Sequence, residues 1–184
     1  MYSSYTVAPC KACLGCVKTN VCVIKDEGIA LAEKAKEADA LIIAGFTPYS
    51  TLDSRTKALM ERLYPLRHLH GFMKGKTGGA MVTCAVPKDS FMLPPACDNG
   101  LNAISYYMME EGMESIGSVR VLGNNPCVRC KFADECDMSG IKMMFGPDAT
   151  KASAGINRFE EQPEAVAAAK ELGQKIAEYL KSKE

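Results

Sequence analysis

The stretch Ala38-Asp39-Ala40-Leu41-Ile42-Ile43-Ala44-Gly45-Phe46-Thr47-Pro48-Tyr49-Ser50 decides the fold. Its apolar run lacks polar alternation, which suits a strand covered on both faces, and it ends in a turn-forming Thr-Pro segment. Two further runs share this character. Residues 78–86 carry Ala80-Met81-Val82-Thr83-Cys84-Ala85-Val86, and residues 118–122 carry Val119 and Val121. Amphipathic stretches lie between them. Asp26 is placed to cap a first helix reaching about Ala38. Residues 52–64 form a second, with Leu52, Leu59 and Leu63 near one face and Pro65 as its stop. A third covers residues 97–111. The last starts at Gln162-Pro163 and sets Val166, Ala169, Leu172, Ile176, Tyr179 and Leu180 on a core-facing stripe. Strands alternating with helices predict an α/β fold, a parallel sheet with helices on both faces.

Upstream, Cys10, Cys13, Cys16 and Cys22 follow the spacing C-x2-C-x2-C-x5-C. Three thiols two residues apart on an irregular loop can turn to three corners of a cubane while a fourth closes the cage, so the spacing points to a 4Fe-4S cluster. In the bacterial ferredoxin run the fourth cysteine lies closer, precedes proline and ligates a different cluster. Here Val23 follows Cys22, so all four thiols can serve one cluster. Zinc, which usually takes two cysteine pairs across a longer loop, and unligated thiols are the alternatives.

A second group repeats part of this pattern. Cys127, Cys130 and Cys136 match the spacing of Cys13, Cys16 and Cys22, Pro126-Cys127 echoes Pro9-Cys10, and Asn124 stands where Cys10 would. A fourth ligand would come from Cys97 or Cys84, with Asp134 or Asp137 as weaker oxygen donors. A second cluster, a zinc site and buried free thiols are all open for this set. It lies within residues 124–161, which lack strong periodicity, and a loop of that length is usually functional.

With 184 residues, net charge +0 and 47% hydrophobic residues, the chain suits one domain over 1–184. That domain carries an N-terminal cluster loop at 8–24 and the cysteine-rich excursion at 124–161. The balanced charge and a pI near 6.7 argue against nucleic acid as a partner. There is no membrane-spanning run, and the start lacks the basic segment and apolar core of a secretion signal, which predicts a cytoplasmic protein. Nine cysteines in that compartment are ligands rather than disulfides.

Taken in order, the cysteine run, the following helix, residues 38–50, Lys57-Ala58-Leu59-Met60-Glu61-Arg62 and Gly75-Lys76 before a strand carry a resemblance. The chain resembles the archaeal and bacterial iron-sulfur flavoproteins, within the flavodoxin-like superfamily of NAD(P)H-dependent FMN reductases, over about residues 8–122. The resemblance implies a flavodoxin-like fold, a cluster loop beside a flavin, and FMN at the carboxyl ends of parallel strands. It would place Thr47, Pro48, Tyr49, Ser50 and Thr51 against the isoalloxazine ring. The strand-to-helix turn at 45–51 is where open α/β sheets bind ligands. The plainer alternative is that Pro48 and Tyr49 shape a turn and Thr51 caps a helix. One departure stands out. The chain starts at about the second strand of the family pattern, with Tyr5-Thr6-Val7 before the cysteine loop, and lacks the first strand and the Gly/Ser-rich loop that holds the FMN phosphate. A truncated sequence, a unit donated by another polypeptide, and a rearranged fold without FMN each account for this.

The implied function is electron transfer through 4Fe-4S and FMN with a ferredoxin-like donor or acceptor. The alternative is a flavin-free iron-sulfur or metal-stabilised subunit of a larger redox complex. Lys11 and Lys18 would offset cluster charge and guide an acidic partner such as ferredoxin. Residues 71–77 read G-x3-G-K-T, one residue short of a phosphate-binding loop, and enter a strand instead of opening a helix. His68 and His70 read as surface histidines. The eleven methionines read as adaptable packing, and the pairs Met108-Met109 and Met143-Met144 would suit a homo-oligomer contact.

Overall fold

Three parallel strands pair in chain order, β1 (Ala40–Phe46), β2 (Thr77–Thr83) and β3 (Glu114–Val121). The computed structural model describes residues 6–88 and 93–183, so Tyr5 of the segment preceding the cysteine loop lies outside the described residues. The helix α1 (Gly28–Glu37) precedes them, and between and after the strands come α2 (Ser54–Arg62), α3 (Ala96–Glu110), α4 (Gly140–Phe145), α5 (Lys151–Ala154) and α6 (Pro163–Lys181). The architecture is an open α/β fold of the flavodoxin-like kind, as the alternating pattern predicts. Among the described residues no helix is long and apolar enough to cross a membrane.

Register assigns the faces. Ala40 pairs with Thr77 and Phe46 with Thr83, while the β2–β3 register shifts between Gly78 and Gly79. Side chains alternate across a sheet, so Leu41, Ile43, Ala80 and Val82 share one face. There they pack with Ala32 and Ala35 of α1, Met60 of α2, and Leu101, Ile104 and Met108 of α3. Met81, Val119 and Val121 look the other way, onto Ala165, Leu172 and Ile176 of α6. Two adjacent glycines let both layers close. A Cβ at Gly78 would strike the Leu41 carbonyl and Met108, and one at Gly79 would stand 2.8 Å from the Leu172 methyls.

Several sequence expectations shift. β3 starts four residues before 118, because its first residues, Glu114 and Ser115, are exposed and their polarity hides the strand while their backbone still pairs. α2 begins at Ser54, and Pro65 sits inside a 3-10 turn, Tyr64–Leu66, just beyond it. Its inward positions are Ala58, Met60 and Arg62, with Leu59 only half-buried. On α6, Ala165, Leu172 and Ile176 are buried, whereas Val166 and Tyr179 are half-buried at the margins of the stripe. Full coverage on both faces holds for β2 but not for β1. There Ile42 and Phe46 are 55% and 50% exposed, since α6 packs over β2 and β3.

Candidate metal centre and flavin loop

The N-terminal cysteine loop is fastened by one buried arginine. Arg62, at the end of α2, donates from Nη1 to the Ala8 carbonyl (2.9 Å) and from Nη2 to the Ile24 carbonyl (3.1 Å), so a single guanidinium ties both ends of the loop. It also pairs through both nitrogens with Asp26, at 2.6 and 2.7 Å. Asp26 in turn accepts from the Ala8 amide (2.8 Å) and the Gly28 amide (2.9 Å), which anchors the loop to the start of α1. The guanidinium hydrogen bonds hold the Asp26 carboxyl down to about 2, below the usual carboxylate range. At the loop's far side, Asn20 donates to the carbonyls of Pro65 (2.7 Å) and His68 (2.6 Å). His68 is therefore a half-buried part of the loop's support, its ring edge-on to Tyr64 at 4.7 Å, while His70 is exposed as expected.

Within this frame the chain winds tightly. Ala12, Leu14 and Asn20 adopt left-handed φ values of 52°, 57° and 55°. Such backbone is costly outside glycine and persists where surrounding contacts impose it, often at functional sites. Gly15 lies so close to Val23 that a Cβ would stand 2.7 Å from its Cγ1. Amides of Thr19 and Asn20 return to the Cys16 carbonyl at 3.2 and 2.8 Å, and the Ala12 amide donates to Cys10 Sγ at 3.4 Å.

The result is that Cys10, Cys13, Cys16 and Cys22 line one pocket together with Arg62, Glu61, Tyr64 and Pro65. All four thiols are free. Burial raises the Cys16 thiol, and the neighbouring cysteines Cys22, Cys10 and Cys13 add to that rise. Among the described residues no three Cys, His, Asp or Glu side chains converge as they would around a single ion. The donor set nevertheless fits an anionic iron-sulfur cluster. It is all sulfur, and Arg62 Nε is buried beside it without a hydrogen-bond partner. The hydrogen bonds to Asp26, with a smaller contribution from Cys22, raise that guanidinium above its ordinary value. Lys11 and Lys18 are exposed on the loop's outside.

Residues 47–51 lie at the other end of α2. Pro48–Ser50 form a 3-10 turn at the carboxyl end of β1, with Tyr49 and Ser50 at φ of 50° and 60°. Asn99 of α3 holds the turn through the Ser50 carbonyl (3.0 Å), and Gly100 allows Thr47 to pack against α3. Thr47 Oγ1 is buried and unpartnered, and the Tyr49 ring is fully exposed. A hydroxyl awaiting a partner and a free aromatic face fit a flavin ring. Thr51 does not cap α2. Asp53 does, accepting from Arg55 (3.1 Å) and Thr56 (3.0 Å) while its other oxygen takes the Phe46 amide (3.2 Å).

Cys97 and Cys84 are placed together in the core, 6% and 3% exposed. Each thiol donates to a carbonyl, Cys97 to Val82 and Cys84 to Val86, both at 3.4 Å. The closeness of the two sulfurs, with burial, pushes the Cys97 thiol far above the ordinary range and lowers that of Cys84. Cys127 and Cys136 are half-buried and Cys130 exposed on the excursion after β3.

No protein-family model matches the chain. A 79-residue segment is 37% identical to the iron-sulfur flavoprotein of Methanosarcina thermophila, covering 43% of this chain and 41% of that protein. A 78-residue segment is 35% identical to an iron-sulfur flavoprotein of Methanocaldococcus jannaschii, covering 42% and 39% respectively. The chain is a relative of the iron-sulfur flavoproteins. The match spans about two fifths of the length of these two iron-sulfur flavoproteins. Arg62, Asp26 and Asn20, which build the thiol pocket, were not singled out by the sequence reading as site residues. Nothing in the local pattern marks a polar residue on α2 as the partner of loop ends 38 and 54 positions away.

Proposed function

We propose that the chain is an electron-transfer protein in which Cys10, Cys13, Cys16 and Cys22 bind a 4Fe-4S cluster. In this reading Thr47, Pro48, Tyr49, Ser50 and Thr51 bind the ring of an FMN, and a ferredoxin-like protein is the donor or acceptor. The observation that carries it is the pocket of four free thiols closed by one buried guanidinium. A flavin takes electrons in pairs and releases them singly, and a cubane takes them one at a time. The protein's residues supply position and charge. Arg62 holds the loop shut and sets a permanent positive charge beside the thiolates, which favours their ionised form. The Thr47 hydroxyl offers a hydrogen bond at the flavin edge, and Tyr49 covers an apolar face. Lys11 and Lys18 present positive charge to an acidic partner.

Alanine at both Cys13 and Cys16 should lower the iron and sulfide of anaerobically reconstituted protein by about half or more, since a cubane does not survive on two thiolates. Unchanged iron would overturn the cluster. For the flavin, FMN should co-elute with the protein on gel filtration, and Thr47→Val should weaken its binding about fivefold, the worth of one neutral hydrogen bond. Protein that never retains FMN would favour the flavin-free subunit.

A further inference from the structure

The second cysteine group plays no part in that reading. We propose that Cys127, Cys130 and Cys136 hold a second iron-sulfur cluster at the carboxyl edge of the sheet, on three thiolates and one non-thiolate donor.

Placement is the first argument. The chain leaving β3 is pinned to the chain leaving β2. The Gly123 amide donates to the Val86 carbonyl (3.1 Å), the Asn124 amide to the Cys84 carbonyl (2.9 Å), and Asn124 Nδ2 to Thr83 Oγ1 (3.2 Å). The loop therefore starts at the same sheet edge as the turn at 47–51, where open α/β sheets place their ligands. The N-terminal loop instead packs on the far end of α2, a nine-residue helix. Nine residues span about 13 Å.

Local construction is the second. The loop bends in a series of single turns. Cys130 donates to Cys127 (2.9 Å), Ala133 to Cys130 (3.4 Å) and Ser139 to Cys136 (3.3 Å), so each cysteine opens a turn. Asn125, only 3% exposed, accepts the Cys127 amide at 2.9 Å and fixes where that thiol begins. Gly140 brings α4 against it. A Cβ there would stand 3.0 Å from Asn125 Nδ2 and 3.4 Å from Cys127 Sγ.

The count of donors is the third. Cys84 and Cys97 are buried in the core with their thiols donated to backbone carbonyls, and Asp134 is committed to the Lys151 amide at 2.7 Å. Three thiolates are left, with Asp137 exposed beside Cys136. Ser139 is 3% exposed at the start of α4, yet its hydroxyl neither caps the helix nor finds any partner. It is a buried oxygen that the loop leaves unused. Structural zinc almost always takes four donors from its own set, usually thiolates and imidazoles, whereas iron-sulfur centres accept non-cysteine ligands at individual irons.

The test is metal and sulfide analysis of the anaerobically reconstituted full chain and three variants: Cys13→Ala/Cys16→Ala, Cys127→Ala/Cys130→Ala, and all four replacements together. Each double variant should keep about half of the parent's iron and sulfide, and the quadruple variant should keep almost none. The retained visible spectrum of the N-terminal site in Cys127→Ala/Cys130→Ala serves as its folding control. Parental iron in that variant, or stoichiometric zinc in the parent that this variant alone loses, overturns the proposal. So does complete loss of iron from Cys13→Ala/Cys16→Ala, which would leave the N-terminal cluster standing by itself. Failure of the N-terminal reading is a different result, parental iron in Cys13→Ala/Cys16→Ala.

Discussion

Arg62 is fully buried, and three hydrogen bonds to the ends of the N-terminal loop depend on it or on its partner Asp26. Removing one member of a buried ion pair strands the other, at a cost of about 3–5 kcal/mol. Arg62→Ala should therefore lose stability of that order in urea unfolding, and Arg62→Lys should recover little, because an ammonium cannot form the two-pronged contact. The same pair predicts an acid response. Asp26 titrates near 2 in the folded protein against an ordinary 3.8, so its contribution is complete above the ordinary value. As the pH falls from about 4 to about 2 that contribution is lost. Unfolding midpoints of the metal-free protein, measured across this window, should fall less for Asp26→Asn than for the parent.

Among elements, the helices were the most legible part of the chain, since apolar spacing and proline positions mark them locally. α3 and α6 fall within a residue of their expected starts. Starts governed by side-chain capping were less so. Asp53 caps α2 where Thr51 was the candidate, because its carboxylate serves two helix amides and the end of β1 at once. Asp53→Ala should cost about 1–2 kcal/mol in chemical denaturation, the upper part of the capping range, since the residue is 3% exposed. Thr51→Ala should cost little by the same measurement. The cysteine loops were legible as ligand spacings but not as places. Nothing in C-x2-C-x5-C says which end of a helix it will pack on.

For the whole molecule, one uncovered sheet face separates neighbouring residues that look alike in sequence. Ile43 is 5% exposed in the main core, and Ile42 beside it is 55% exposed. Ile43→Ala should cost about 2–5 kcal/mol through lost burial and a residual cavity. Ile42→Ala should cost well under 1 kcal/mol, near the surface range, and paired urea titrations would read the difference. If both cost the same, the face over β1 is covered in solution. By itself the sequence determined the strand-helix alternation, the sulfur spacings and the balanced charge, all of which are set by residues a few positions apart. Only the tertiary structure decided that Arg62 ties Ala8 to Ile24, that the Cys97 thiol is spent on the Val82 carbonyl, and that the second cysteine loop stands at the carboxyl edge. Those depend on contacts between residues 15 to 54 positions apart, which register and packing create and no local pattern encodes.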